Sequence, residues 1–316
     1  MSYADATPDR LHGTSPQAIV DRATGALLGL AVGDAIGTTL EFAPRDAFVP
    51  IDDMIGGGLF QLEPGQWTDD TSMALALGES LAEKGALDET DLMRRFTEWW
   101  KEGRYSCTGR CLGMGPTTRA SLERWLITND PVAGATSPDR VSNGSLMRLA
   151  PVAIRYWNDP AKRRDAAARQ SRTTHGAAEA VDACIAFADL LADAIAGKPQ
   201  SVVLRSRTEP CVERIAAVLN GSWREKARGE IESSSYAVHT LEAAIWCVAR
   251  SSDFKSAVLL AANLGEDADT TAAVTGQLAG ALYGLSGIPQ AWKERVFWSE
   301  RIQTLARRLA APSFAD

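Results

Sequence analysis

The sequence predicts an all-α protein built as one domain. Three observations carry this reading. Apolar residues recur at helical spacing along nearly the whole chain, and alternating strand-like runs are few, FVPI at 48–51 being the best of them. No Gly/Ser-rich or Pro-rich linker divides the chain. At 316 residues and 45% hydrophobic content, the chain can bury a core without disulfides or metals merely to fold.

Residues 1–15 read as a flexible lead-in without the apolar run of a secretory leader, and 16–316 as the domain. Ser15-Pro16 is a helix-entry pair, so a helix runs from there to about Thr39. Thr68-Asp69-Asp70-Thr71 opens the next, TSMALALGESLAEKG. Asp88 opens a third through residue 103, with acids in its first turn and Gly103 at its end. Helical stretches follow at 117–127, 145–157 (kinked at Pro151), 159–170 (opened by Asp159-Pro160) and 176–197 (closed by Gly197). Others lie at 209–220, 235–250 and 254–264, after Asp267, and within 291–310.

Two of these helices carry glycine every fourth residue: Gly25, Gly29, Gly33 and Gly37 in one, Gly276, Gly280 and Gly284 in the other. Each interior Gly costs a helix about 0.8–1 kcal/mol relative to Ala. Close approach of two bare helix faces at the centre of the domain is the natural compensation. No strand leads into these glycines and G-x-G-x-x-G does not occur there, which excludes a dinucleotide fingerprint. Thr270–Trp292 is uncharged but rich in Gly and Thr, so it reads as a buried helix plus its exit loop and not as a membrane span.

The charge balance, Lys+Arg 33 against Asp+Glu 40, has no basic run and argues against non-specific nucleic-acid binding. Five cysteines (107, 111, 184, 211, 247) fit reduced thiols in a cytoplasmic protein better than a disulfide framework.

Acids gather at the ends of the buried helices. Glu41 follows the first glycine helix, Asp69 and Asp70 start another, and Asp267-x-Asp269-Thr270-Thr271 opens the second glycine helix. Singly, each reads as a helix cap. Together they hold more acids than capping uses. If the segments converge, five buried carboxylates need compensation, and two divalent cations supply it. Carboxylate and hydroxyl oxygens suit Mg²⁺ or Mn²⁺ rather than zinc, and the three His and Cys107-x₃-Cys111 make no zinc set. Ser142-Asn143-Gly144-Ser145 is a polar turn suited to a phosphate, or else an ordinary N-cap. His175, alone at a helix start, is a structural hydrogen-bonder or a site residue.

GLAVGDAIGTTLEF, GQWTDDTSMAL, SNGSLMRLAP, Thr174-His175 and LGEDADTTAAVTGQLAGALYG, in this order from about residue 22 to 287, resemble the successive motifs of the ADP-ribosylglycohydrolase family. The resemblance implies a compact orthogonal helical bundle and hydrolysis of the bond between ADP-ribose and a modified side chain, arginine first. It implies a dinuclear Mg²⁺ or Mn²⁺ centre held by Thr68, Asp69, Asp70, Asp267, Asp269 and Thr270, with Glu41 as the catalytic carboxylate beside it. Asn143, Gly144 and Ser145 would hold the diphosphate and His175 would line the substrate. Gly113 and Gly115 would face the leaving group. There the resemblance leads one to expect an Asp, and Leu112-Gly113-Met114-Gly115 has none. The implied partner is an ADP-ribosylated protein or a small ADP-ribosyl compound, with no membrane. Serine, nucleic-acid and O-acyl linkages, a non-catalytic ADP-ribose binder and a two-metal phosphoesterase stand as alternatives.

Overall fold

The computed structural model describes residues 15–311; all of the expected lead-in except Ser15 lies outside them. The described residues form fourteen α-helices: α1 (Pro16–Gly37), α2 (Asp69–Lys84), α3 (Glu89–Glu102), α4 (Pro116–Thr128), α5 (Ala150–Arg155), α6 (Pro160–Arg172), α7 (Ala178–Ile195), α8 (Gln200–Val203), α9 (Glu213–Asn220), α10 (Ala237–Ala249), α11 (Phe254–Ala262), α12 (Ala268–Gly287), α13 (Gln290–Arg295) and α14 (Ser299–Ala310).

The two glycine helices, α1 and α12, form the central pair. A Cβ on Gly25, Gly29, Gly33 or Gly37 would fall within 3.0 Å of the carbonyls of Gly280, Gly276, Ala272 and Ala268 in turn. As residue numbers rise on α1 they fall on α12, so the pair is antiparallel. The bare faces therefore do what the spacing predicts: they let two backbones touch, and the packing gained offsets the weak helix propensity. At the far end Gly284 leaves helical geometry, with φ of 74°, where Asp21 accepts from the Ser286 amide and hydroxyl. Around this pair pack α2, α5, α7, α10, α11 and α14. The stretch Pro16–Leu40 is long and apolar enough to cross a membrane, but 94% of its most apolar window is buried inside this fold.

Some sequence expectations fail locally, for physical reasons. FVPI forms no strand, because both the amide and the carbonyl of Ile51 are taken by the Asn263 side chain. The helix expected over 145–157 reduces to α5. Residues 144–148 are turns, and Pro151 lies in the first turn of α5, where its missing N–H costs nothing. Residues 209–212 precede α9. The C-terminal stretch splits into α13 and α14 around Trp298, which takes a left-handed φ of 57°.

Candidate metal centre and cleft

The antiparallel crossing brings the C-terminal end of α1 against the N-terminal end of α12, and α2 starts beside both. Asp34, on α1 between Gly33 and Gly37, is fully buried. One of its oxygens accepts from the Thr68 amide (2.9 Å) and hydroxyl (2.8 Å), the other from the Thr71 amide (3.0 Å) and hydroxyl (2.7 Å). Asp34 thus fixes the turn that presents Asp69 and Asp70. Capping does not explain the acids at these helix starts. Asp88, Asp159 and Asp253 each cap a helix through the side chain, whereas Thr68 and Asp267, in the equivalent position, make no such bond.

The acids converge. Single oxygens of Asp34, Asp70 and Asp269 lie within 4.8 Å of one another. Both oxygens of Asp70, one of Asp269 and one of Glu41 are buried without a hydrogen-bond partner among the described residues. An unsatisfied buried carboxylate oxygen is costly, and four such oxygens in one cluster are the signature of a site that a divalent cation completes. The donor set is all oxygen, which fits a hard cation. Burial raises the pKa of Asp69, Asp70, Asp267 and Asp269, and neighbouring carboxylates add to the effect at Asp69, Asp70 and Asp269. Burial, with Asp267 and Asp34, pushes Glu41 up to about 8.

This arrangement sets a pH dependence in ion-free protein. The folded state holds protons that the unfolded chain has lost, so stability falls as pH rises toward the Glu41 value of about 8. The slope is about 1.4 kcal/mol per pH unit for each extra proton held. Buried His175, pushed down to about 3 by burial and by Arg148, acts in the opposite sense, but only below its ordinary value of 6.5. Thermal unfolding in chelator should therefore give a lower midpoint at pH 8 than at pH 6.5, a range that begins at the ordinary histidine pKa. Saturating Mg²⁺ or Mn²⁺ should remove most of that difference. A midpoint that rises with pH would contradict the buried cluster.

The cluster forms one end of a cleft of about 390 Å³. Glu41, Asp69, Asp267, Asp269 and Thr270 line it, while Thr68 and Asp70 lie behind them. The Glu41 loop is clamped to the loop before α12: Phe42 donates to the Glu266 carbonyl (2.6 Å) and Glu266 to the Ala43 carbonyl (2.8 Å), both residues at positive φ. Asn143 and Gly144 reach the cleft, and Asn143 also donates to Asp267 (2.7 Å), joining the polar turn to the acids. His175 lines the cleft against Gly144, where a Cβ would meet the ring. Ser145 does not line it. Fully buried, its hydroxyl pairs with that of Ser171. Gly113 and Gly115 are both on the wall. Gly113 has φ of 76°, and a Cβ there would strike an Asp69 oxygen, so a side chain at this position would displace an acid of the cluster.

Asp34 escaped the sequence reading; Ser142, read only as part of the polar turn, stands on the cleft wall, and Arg148 is buried behind it. The available signal for Asp34 is its place as the one charge in the otherwise uncharged, glycine-spaced stretch 23–40.

The ADP-ribosylglycohydrolase family profile matches residues 15–315. The ADP-ribosylarginine hydrolase Tri1 of Pseudomonas putida (strain GB-1) is 45% identical over 295 residues, 93% of this chain and 79% of that protein. The ADP-ribosyl-dinitrogen reductase glycohydrolase of Rhodospirillum rubrum is 35% identical over 280 residues, 87% of this chain and 90% of its own. A solved structure described as an ADP-ribosylglycohydrolase-related protein complex superposes with a TM-score of 0.84 at 42% identity, covering 94% of this chain and 99% of its own. With the profile spanning nearly its whole length, this chain belongs to the ADP-ribosylglycohydrolase family.

Proposed function

We propose that this protein hydrolyses the glycosidic bond between ADP-ribose and a modified arginine side chain, using two divalent cations, Mg²⁺ or Mn²⁺. The observation that carries the reading is the set of buried, unpartnered oxygens of Asp70, Asp269 and Glu41 at the end of a polar cleft. Identity of 45% to a protein named for arginine-linked ADP-ribose supports the choice of linkage.

Thr68, Asp69, Asp70, Asp267, Asp269 and Thr270 would hold the cations, which supply Lewis acidity and offset the carboxylate charge. The remaining chemistry belongs to the chain's own groups. Glu41, on the cleft wall, keeps one carboxylate oxygen buried and without a hydrogen-bond partner among the described residues, and that atom would take a proton from the attacking water. The water's hydroxyl then joins the anomeric carbon, and its proton ends on the departing guanidine. Positive charge developing at that carbon faces the carboxylates of Asp69, Asp267 and Asp269, which favour it electrostatically. Asn143 spans the Asp267 carboxylate and the polar turn, so it orients both ends of the site.

The test is release of ADP-ribose from a mono-ADP-ribosyl-arginine peptide, with Mn²⁺ or Mg²⁺ and with chelator. The expected result is intact ADP-ribose plus unmodified arginine only when the cation is present. No release under either condition would overturn the reading, and free phosphate from ADP-ribose would favour a phosphoesterase.

A further inference from the structure

Gly113 and Gly115 line the cleft, whereas Met114, between them, lines a separate groove of about 510 Å³. The segment 113–115 is thus a wall shared by both. It stands at the cation end of the cleft, because Gly113 packs against Asp69. The groove runs from the end of α3 to the first turn of α4. Trp100, half-buried, lines it, with the cationic groups of Lys101 and Arg119 at 3.5 and 5.8 Å from the ring centroid. Arg110 lines it too, and all three cations are exposed.

The charges on this surface are largely uncommitted. Arg119 donates to Glu123 (3.1 Å), but Lys101 and Arg110 have no ion-pair partner among the described residues. Glu102 is the one acid among the lining residues. The chain as a whole carries −7, so its general field favours a basic partner. This groove departs from that field locally and matches carboxylates. A polyphosphate backbone is a poorer match, since its binding grows with the number of phosphates neutralised and the chain has no basic run.

In the reaction proposed above, ADP-ribose fills the cleft and its bond to arginine breaks beside the cations. The peptide bearing that arginine then leaves the cleft at its cation end, where the wall 113–115 stands. Its neighbouring residues meet the groove. We propose that this groove docks the segment of an ADP-ribosylated protein that flanks the modified arginine, and that it selects acidic residues there. The proposal rests on the arginine reading and adds the substrate class: a protein with carboxylates beside the target, rather than a free ADP-ribosyl compound.

Three substrates test it on the whole chain with Mn²⁺: mono-ADP-ribosyl-arginine peptides flanked by Glu or by Lys, and free ADP-ribosyl-arginine. The wild type should show about tenfold higher kcat/KM for the Glu-flanked peptide than for the Lys-flanked one, as two exposed charge pairs allow. Raised ionic strength should shrink that preference. The double variant Lys101→Glu plus Arg110→Glu should lose or reverse it, yet cleave free ADP-ribosyl-arginine as the wild type does. Equal kcat/KM for the two peptides, or a preference that persists in the double variant, would overturn the proposal. So would inhibition of peptide cleavage by single-stranded DNA but not by an unmodified Glu-flanked peptide, which would mark a nucleic-acid surface. A wild type that cleaves none of the three substrates would instead sink the arginine reading itself.

Discussion

Glu41→Gln should lower turnover of ADP-ribosyl-arginine by about 10²–10⁴-fold, the range for removal of a general base. Divalent-cation affinity should fall less than tenfold, and ADP-ribose affinity should change little. Gln keeps the shape of the side chain and its place in the loop clamped by Phe42 and Glu266, so the backbone has no reason to move. What disappears is the proton acceptor. In the ion-free cluster Glu41 holds its proton to about pH 8 because burial, Asp267 and Asp34 all disfavour its charge. Positive charge beside it relieves that repulsion and restores the carboxylate, so base function and cation binding are linked. Single-turnover release of ADP-ribose, beside calorimetric titration of Mn²⁺, separates the two effects. Full turnover in Glu41→Gln would remove the base assignment, and a parallel collapse of cation binding would recast Glu41 as a ligand only.

How much of this was legible beforehand follows from which signals are local. Four-residue glycine spacing is local, and it suffices to predict the α1–α12 contact. Helix entries at Ser15-Pro16, Asp88 and Asp159-Pro160 were readable because caps are local chemistry. The acids at 69, 70, 267 and 269 could be named as unusual, since they exceeded what caps require, but their convergence is a tertiary fact set by an antiparallel crossing. The failures share one cause. FVPI had strand-like composition, yet the Asn263 side chain took its backbone groups. Residues 145–148 had helical periodicity, yet Arg148 is committed to Gln170 and Thr174 from a turn. Ser145 stood in a turn expected to hold phosphate, but it points at Ser171, and the neighbouring Ser142 holds the place on the wall. Which serine of a turn faces the cleft is invisible to pattern reading. At Gly113 the sequence posed a question that the structure answers sterically: an Asp there would collide with Asp69.

Asp34 and Asp70 should respond differently to the same Asp→Asn change, which separates orientation from ligation. Asp34 already receives two hydrogen bonds on each oxygen, so it has little left to offer a cation. Asp70 receives none on either oxygen from the described residues and is fully buried. In Asp34→Asn one oxygen becomes an NH₂ group facing an amide and a hydroxyl of Thr68 or Thr71, and the turn that presents Asp69 and Asp70 loses its anchor. Groups that orient ligands in this way typically account for about 10–100-fold in metal affinity. That is the expected loss in Asp34→Asn, together with a lower unfolding midpoint from buried donors left unpaired. Asp70→Asn should lose cation affinity still further. Its ion-free form should be more stable than the wild type at pH 8, because folding no longer has to protonate a buried carboxyl, or hold it charged without compensation, far above its unfolded pKa. Mn²⁺ titration and unfolding in chelator, run on both variants, give the two readouts. Stabilisation of ion-free protein by Asp34→Asn, or destabilisation by Asp70→Asn, would reverse the assignment of which acid orients and which binds.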